Sequence, residues 1–322
     1  MALKSILLTT LLVLNCPAAV LCRATHHYWK GFSKVETLFV FGDSYSRTGF
    51  NPSSSSQPSR GNPLGNPAYP GVTSANGPNW VDYLTTTYNK SSLLTYNFGT
   101  SGAVVAASIV NANGHDLHQE VVEYFQPRYK VGKTFHASTS LFVTWFGIND
   151  IMHGNLSGRP DTVKKLFEAY GQDIGRLYKS GARNFLLMTV PPVERAPRIT
   201  NQKDPSARIR SVKEAVETWN SHVKELAKHI ETVYPKSTAF VFDTYPLFSK
   251  VIEKPSAFKE TKIYKDTTTY CSAYKKGTAE PNTKSTACKY AADQYLWLNN
   301  LHPTFPMHKL LAKHVSSFLK AQ

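Results

Sequence analysis

Five short runs of β-branched and aromatic residues recur along the chain, with helical stretches between them. The runs cover residues 37–41, 93–97, 141–146, 184–190 and 238–243. Most are continuously apolar and do not alternate with polar residues, which is typical of strands buried on both faces. Strands that alternate with helices form a parallel sheet through right-handed crossovers. The sequence therefore predicts an α/β fold in which helices cover both faces of a mainly parallel five-stranded sheet.

Helical periodicity is clearest between the fourth and fifth runs. Seven apolar residues recur there at spacings of three and four, from Ile209 to Ile230, which predicts a long amphipathic helix. Further helices are predicted over residues 80–86, 161–180 and 306–321. Residues 51–79 are dense in Asn, Pro, Gly and Ser and predict a long loop overhanging the first strand. Without an internal repeat or a second domain, we expect one domain over residues 23–322.

The first 22 residues have the pattern of a secretory signal peptide. Lys4 supplies the positive start, residues 6–20 form the apolar segment, and small residues follow. A buried or membrane-anchoring helix is the alternative, but Pro17 opposes it and the run is shorter than the roughly 20 residues that a spanning helix needs. We therefore expect cleavage after Cys22 or Ala24, and a secreted, extracellular protein without stable membrane insertion.

Such cleavage would leave Cys271 and Cys288 as the two cysteines of the mature chain. Two cysteines in a secreted chain usually pair, so we expect a disulfide that closes a short loop rich in Lys, Gly, Thr and Pro. Closing a loop of this size stabilises a protein by roughly 3 kcal/mol. Sequons at Asn89 and Asn155 fit the same compartment and are candidate N-glycosylation sites.

The chain is strongly basic, with a formal net charge of +15 at pH 7. Residues 250–290 hold nine Lys and Arg residues against four Asp and Glu residues, so part of the excess is local. A nucleic-acid partner, an acidic polysaccharide and simple solubility are all compatible with such a charge. Since no zinc-finger, helix-turn-helix or RNA-binding signature accompanies it, no nucleic-acid partner is expected. A solvated face and adhesion to an acidic cell-wall polymer remain as interpretations.

Polar and small residues follow three of the predicted strands. The segment Gly42-Asp43-Ser44-Tyr45 comes directly after the first strand, residues 97–102 end the second, and residues 147–150 end the third. A fourth polar segment, residues 299–304, precedes the last helix. The carboxyl ends of parallel strands form a common edge where functional groups collect. We therefore expect these segments to form one rim.

Each candidate in this rim also has a purely structural interpretation. Ser44 is placed to face a cleft but could instead cap a helix. Gly102 offers a backbone amide or forms a tight turn, and Asn149 projects into the rim or caps a loop. His302 is fixed by the following proline at the start of the last helix, and the alternative is a packing histidine. The four segments together favour the functional interpretation.

Taken in order, the four segments resemble the motifs of the GDSL or SGNH hydrolase superfamily, and the resemblance spans nearly the whole mature chain. It implies a flavodoxin-like three-layer fold. Three further features are similar to secreted fungal carbohydrate esterases, chiefly acetyl esterases. They are residues 28–32, the loop from 62–67 to 77–80, and residues 301–308.

The resemblance implies a role for each rim residue. Ser44 would attack the ester carbonyl after His302 takes its proton, which forms an acyl-enzyme. The oxyanion would be held by the backbone amides of Ser44 and Gly102 and by the side-chain amide of Asn149, with Gly99 as a substitute for Gly102. This chemistry requires no metal and no organic cofactor.

Asn299 stands where most of the superfamily has an aspartate, three residues before the histidine. An asparagine carbonyl can still accept the Nδ1 proton of His302, as in Cys-His-Asn proteases, but it adds no negative charge. A backbone carbonyl, Asp293 or Asp150 are the alternative partners. The alternative interpretation of Asn299 is that the site has lost most of its activity.

The resemblance implies a secreted serine esterase that removes short acyl groups, most often acetyl, from plant cell-wall carbohydrate. Its partner would be an acylated oligo- or polysaccharide. Tyr69 and Trp80 are candidates for stacking on a sugar ring, or else packing residues. A lysophospholipase or general carboxylesterase of the same fold is one alternative, and a catalytically weakened cell-wall-binding protein is the other.

Overall fold

Five parallel strands form the central sheet of the protein. The structure is a computed structural model that describes residues 28–89, 91–111 and 114–322. The strands are β1 (Thr37–Gly42), β2 (Leu94–Asn97), β3 (Ser140–Trp145), β4 (Asn184–Met188) and β5 (Thr238–Phe242). They follow the order β2-β1-β3-β4-β5 in the sheet, and all neighbours are parallel. The predicted α/β fold with a parallel five-stranded sheet is confirmed.

Eight α-helices lie in the described residues. They are α1 (Trp80–Thr86), α2 (Leu117–Gln119), α3 (Ile148–Gly154), α4 (Pro160–Lys179), α5 (Pro197–Thr200), α6 (Ser206–Val233), α7 (Tyr245–Glu253) and α8 (Phe305–Lys320). A π-helical segment, Glu120–Phe125, continues α2. The helices predicted over residues 80–86, 161–180 and 306–321 agree with α1, α4 and α8 to within one residue at each end. Helix α6 extends three residues beyond its predicted apolar stripe at each end.

The strand order decides on which face each helix lies. The chain moves from β1 to β2 in one direction across the sheet, and from β3 through β4 to β5 in the other. Because crossovers between parallel strands are right-handed, α1 covers one face, and α4 and α6 cover the opposite face. Helix α8 packs against α1, and α4 packs against α6. The three layers are therefore helices, sheet and helices.

An aromatic cluster around Phe39 of β1 forms much of the core on one face. The Phe39 ring centroid lies 4.8 Å from that of Phe142 on β3 and 5.1 Å from that of Phe125, which it meets edge to face. Strands β1 and β3 occupy the middle of the sheet, and all their residues are buried. This two-sided burial is the reason why their sequences are continuously apolar.

Cys271 and Cys288 form the predicted disulfide. The loop that they close has few apolar residues of its own and packs in a small core separate from the main one. That core also contains Tyr295 and Leu298, which lie in the segment leading into residues 299–304. The disulfide loop is therefore stabilised by apolar residues contributed from the neighbourhood of His302.

Residues 51–79 contain no helix or strand apart from an isolated bridge between Ser59 and Asn62, in agreement with the predicted loop. The predicted signal peptide, residues 1–22, and its two candidate cleavage positions lie outside the described residues. None of the helices in the described ranges is long and apolar enough to cross a membrane.

Candidate active site

The turn after β1 places Ser44 at the carboxyl edge of the sheet. The Asp43 side chain accepts the backbone N–H of Tyr45 at 2.9 Å, and the Asp43 carbonyl accepts those of Ser46 and Arg47 at 3.0 Å each. A side-chain oxygen that bonds backbone two residues on favours a tight turn directly after the strand. Asp43, and not Ser44, therefore accepts the free backbone N–H groups of this turn. The Ser44 hydroxyl is available for another partner.

His302 is carried by residues 296–304, which we call the histidine loop. The backbone N–H of Leu298 donates to the His302 carbonyl at 2.8 Å, and that of Thr304 donates to the Leu296 carbonyl at 2.7 Å. These two bonds close the loop on itself, so the backbone of His302 is fixed before α8 begins.

Tyr45 joins the turn after β1 to the histidine loop. Its buried hydroxyl donates to the Leu301 carbonyl at 2.6 Å, and its ring centroid lies 5.7 Å from that of His302. In this arrangement Nε2 of His302 lies 2.7 Å from Oγ of Ser44. Sequence reasoning did not assign a role to Tyr45, although its position next to Ser44 was a usable signal.

Asn299 orients the imidazole of His302. Its Oδ1 atom accepts the backbone N–H groups of Leu301 at 3.0 Å and of His302 at 2.9 Å, and it lies 3.0 Å from Nδ1 of His302. Only the oxygen of an amide can accept two backbone N–H groups, so these bonds determine which way the Asn299 amide points. The same oxygen can accept only from a protonated Nδ1. The lone pair of the neutral ring is therefore on Nε2 and faces Ser44.

The two candidate carboxylates do not take this position. Oδ1 of Asp150 accepts the backbone N–H of Val105 at 3.0 Å, and Asp150 is fully buried. Asp293 lies in a short 3-10 helix, Ala292–Gln294, and no hydrogen bond joins it to His302 in the described residues. Of the candidate hydrogen-bond partners for Nδ1 of His302, the structure places Asn299 in contact with it.

The pKa of His302 is lowered to about 4, chiefly by burial of the imidazole and further by the positive charge of Arg198. The backbone N–H of Arg198 donates to the Asn300 carbonyl at 2.7 Å, which attaches α5 to the histidine loop. Arg198 is half-buried, and no ion pair involves it in the described part of the chain. Nothing in the sequence marks Arg198, because only the tertiary fold makes it a neighbour of His302.

Two backbone N–H groups near Ser44 are available to a ligand. Gly102 has φ of 80°, a left-handed conformation that glycine favours. Neither its N–H nor that of Ser44 donates to another group in the described residues. The N–H of Gly99 instead donates to Oδ1 of Asn97 at 3.1 Å. The geometry therefore favours Gly102 over Gly99 as a donor.

Asn149, in the first turn of α3, connects the segments that carry these donors. Its Nδ2 atom donates to the Ala103 carbonyl at 3.0 Å and to Oδ2 of Asp43 at 3.3 Å. Burial raises the pKa of Asp43 to about 7. At acidic pH the Asp43 carboxyl group is therefore neutral. The bond from Asn149 to Asp43 is then not strengthened by a negative charge, so it is weaker than the bond from Asn149 to Ala103.

Trp80 and Tyr69 are the candidates for sugar stacking. Trp80 is fully buried at the start of α1, where its indole N–H donates to Oγ of Ser46 at 3.1 Å, and its ring centroid lies 6.1 Å from that of Trp145. Tyr69 is 51% exposed, and burial together with the carboxylate of Asp82 on α1 raises its pKa. Trp80 is thus a packing residue, and Tyr69 lies beside α1.

Most of the chain is similar to several known proteins. Residues 38–315 match a family model described as GDSL-like lipase/acylhydrolase. An acetylesterase of Thermothelomyces thermophilus is 31% identical over 294 residues, which cover 88% of this chain and 88% of the relative. A thermolabile hemolysin of Vibrio parahaemolyticus is 25% identical, over 87% of this chain and 63% of the relative. Among solved structures, a Parabacteroides merdae protein described as GDSL-like lipase has a TM-score of 0.52 at 12% identity, covering 91% of this chain and 99% of that one, which indicates a shared fold.

Proposed function

This chain belongs to the GDSL-like lipase/acylhydrolase family and is a serine carboxylic-ester hydrolase, and we propose that it removes acetyl groups from plant cell-wall carbohydrate. The proposed mechanism passes through an acyl-enzyme on Ser44. The orientation of His302 is the observation that supports it most. With Nδ1 bonded to Asn299, the lone pair of Nε2 faces the Ser44 hydroxyl at 2.7 Å.

In the first half of the reaction, His302 takes the proton of Ser44 as Oγ attacks the ester carbonyl. The developing oxyanion is held by the backbone N–H groups of Ser44 and Gly102 and by the Asn149 amide. Each such donor contributes roughly 3 kcal/mol to transition-state stabilisation. Asn149 exchanges its 3.3 Å bond to Asp43 for the oxyanion, since this is the longer of its two bonds.

His302 then gives its proton to the leaving alcohol, and the acyl group remains on Ser44. In the second half, His302 takes a proton from water, and the resulting hydroxide attacks the acyl carbonyl. The proton returns to Oγ of Ser44 as the carboxylic acid leaves. Both halves use the same oxyanion donors.

The choice of acetyl groups is supported by the similarity to an acetylesterase. The choice of carbohydrate is supported by residues 28–32, 62–80 and 301–308, which resemble carbohydrate esterases. Five large apolar side chains are exposed in the described residues. None of them lies in the histidine loop or in the turn after β1. They are Tyr69, Val72, Val131, Val233 and Ile263.

Secretion and glycosylation are parts of the same proposal. Asn155 is exposed at the end of α3. Its Oδ1 atom accepts a hydrogen bond from Arg208 at 3.0 Å, and its amide nitrogen donates to no group in the described residues. Asn89 is half-buried, and its amide nitrogen donates to the Thr85 carbonyl. Since a glycan is attached to that nitrogen, we propose Asn155 as the occupied sequon. An Asn155→Gln variant should then lose the mass that enzymatic deglycosylation removes from the secreted protein.

Ester hydrolysis by the purified protein tests the function. We expect hydrolysis of 4-nitrophenyl acetate at least about tenfold faster than of the octanoate ester, and release of acetate from acetylated xylo-oligosaccharides. Rapid quenching should recover an acetyl group on the peptide that contains Ser44. Ser44→Ala should abolish both ester hydrolysis and this acetylated peptide. Faster hydrolysis of octanoate would favour the lipid or general carboxylesterase alternative. A folded protein that hydrolyses none of these esters would favour the wall-binding alternative.

A further inference from the structure

A basic surface lies beside the histidine loop, on residues 254–289. This range holds eight lysines against three acidic residues, a local excess of five positive charges. All eight lysines are exposed, and we call them the lysine surface. They are Lys254, Lys259, Lys262, Lys265, Lys275, Lys276, Lys284 and Lys289.

The three acidic residues of this range, Glu260, Asp266 and Glu280, offset only part of this positive charge. Glu260 forms an ion pair with Lys313 at 2.8 Å, outside the range. Hydrogen bonds from Thr268 and Thr269 lower the pKa of Asp266, and its carboxylate attracts the ammonium group of Lys289. Within the described chain, no ion pair joins any of the eight lysines to a carboxylate. Unpaired like charges repel one another, so a polyanion bound across them would relieve that repulsion.

The disulfide loop holds part of the lysine surface in a defined shape. The Cys271–Cys288 bridge and the small core around Tyr274 fix the backbone between Lys275 and Lys289. The disulfide loop is also attached to the loop of residues 51–79. The side-chain nitrogen of Asn76 donates to the Thr278 hydroxyl, and its side-chain oxygen accepts the backbone N–H of Thr278.

The lysine surface is also continuous with the segment that carries His302. The backbone N–H of Lys265 donates to the Gln294 carbonyl at 2.8 Å, and that of Leu296 donates to the Asp266 carbonyl at 2.8 Å. Leu298 packs in the same small core as Cys288. A long polymer bound to these lysines would therefore lie beside the histidine loop.

Two of the lysines flank an aromatic ring. Nζ of Lys289 lies 5.1 Å and Nζ of Lys265 lies 5.9 Å from the ring centroid of the half-buried Tyr290. Both distances are within the range in which a cation is attracted to a ring face. A ring with ammonium groups around it suits a sugar that carries a carboxylate, because the apolar face of the sugar contacts the ring and the carboxylate contacts an ammonium group.

We propose that the lysine surface binds an acidic polysaccharide, a polymer of sugars bearing carboxylates. The choice of a polysaccharide over a nucleic acid rests on the proposed function, since the surface adjoins a site that we assign to carbohydrate esters. Binding itself does not require hydrolysis, so the two proposals can fail separately.

Binding of the full-length protein to immobilised polygalacturonate tests the inference, with a neutral, fully methyl-esterified polymer and double-stranded DNA as comparison ligands. The test variant carries Lys265→Gln, Lys275→Gln, Lys276→Gln and Lys289→Gln. The matched control carries Lys130→Gln, Lys133→Gln, Lys164→Gln and Lys165→Gln, which removes the same number of exposed charges elsewhere.

We expect the test variant to bind polygalacturonate at least about tenfold more weakly than the wild type. The control should keep wild-type affinity within about twofold, and added salt should weaken binding because it screens exposed charges. Equal losses in both variants would overturn the inference, since binding would then follow net charge alone. Binding of the neutral polymer with the same affinity, or tighter binding of DNA than of polygalacturonate, would overturn it too.

Hydrolysis of 4-nitrophenyl acetate separates this inference from the proposed function. The test variant should hydrolyse this small neutral ester at the wild-type rate, because in the described part of the chain no hydrogen bond joins its four lysines to Ser44 or His302. A wild-type protein that hydrolyses the ester but does not bind polygalacturonate would remove the lysine-surface inference alone. A protein that binds but hydrolyses nothing would remove the proposed function and leave the binding surface.

Discussion

Nε2 of His302 lies 2.7 Å from Oγ of Ser44, although the two residues are 258 positions apart in the chain. The fold brings them together from opposite ends of the sequence. Ser44 follows the first strand of the sheet, and His302 precedes the last helix. The hydroxyl of Tyr45, next to Ser44, bonds the carbonyl of Leu301, next to His302, and so fixes one backbone against the other.

This contact predicts that Ser44 and His302 act as one unit. Ser44→Ala and His302→Ala should each lower kcat by about 10⁴-fold or more, and the double variant should be no slower than either single variant. The measurement is kcat for 4-nitrophenyl acetate in all three variants, with circular dichroism to confirm folding. Losses that multiply in the double variant would mean that the two residues act independently.

Asn299→Asp is expected to preserve or raise activity. An aspartate oxygen can accept the same N–H groups of Leu301 and His302, and its negative charge would stabilise the imidazolium that forms during attack. Asn299→Ala removes the acceptor, so kcat should fall as His302 loses its fixed tautomer. The neighbouring Asn300→Asp adds the same charge at an exposed position and serves as the control. A folded Asn299→Asp protein without turnover would contradict the orienting role of Asn299.

The pKa of His302 predicts activity far into acid. Protonated His302 cannot accept the proton of Ser44, so kcat/KM should fall only as the pH drops through a value of about 4. Arg198→Gln removes a cation that lowers this pKa, so the acid limb should move to higher pH. Arg210→Gln, which removes an exposed cation from α6, should leave the limb in place. An acid limb that stays unchanged in Arg198→Gln would show that Arg198 does not act on His302.

The sequence predicts the sheet well because its central strands are buried on both faces. Val40 and Val143 need no polar partners there, so the apolar runs coincide with the strands. It predicts the rim for a related reason, since Ser44 follows a strand directly. What escapes the sequence depends on contacts between distant segments. The charge of Arg198 near His302 and the packing of Trp80 against Trp145 leave no local pattern.

The amide of Asn149 illustrates the same limit at the site. The sequence places it in the rim, but only the structure reveals that Nδ2 already donates to Ala103 and Asp43.

Asn149→Ala should nevertheless lower kcat by about 10²- to 10³-fold with little change in KM, because the oxyanion forms only in the transition state. Steady-state kinetics on 4-nitrophenyl acetate measures both constants. A rise in KM at constant kcat would assign Asn149 to substrate binding instead.

Asp82 is expected to make the protein less stable as the pH rises toward neutrality. Its Oδ2 atom accepts the backbone N–H of Asn79 at 2.8 Å, whereas Oδ1 is buried without a partner in the described residues. Burial raises its pKa from 3.8 to about 7, so between these values the folded protein binds a proton that the unfolded chain releases. The free energy of unfolding therefore falls as the pH rises through this window. Each pKa unit corresponds to about 1.4 kcal/mol, which gives an expected loss of a few kcal/mol.

Urea unfolding of the wild type and of Asp82→Asn, each in acid and above neutral pH, isolates this contribution. The asparagine keeps an acceptor for the Asn79 N–H but does not ionise, so the variant should gain stability relative to the wild type as the pH rises. Other buried carboxyl groups, such as Asp43 and Asp150, affect both proteins alike and cancel in the comparison. Asp161→Asn changes an exposed carboxylate at the start of α4 and is the matched control. Parallel stability curves for the wild type and Asp82→Asn would mean that the pKa of Asp82 is the same in the folded and in the unfolded protein.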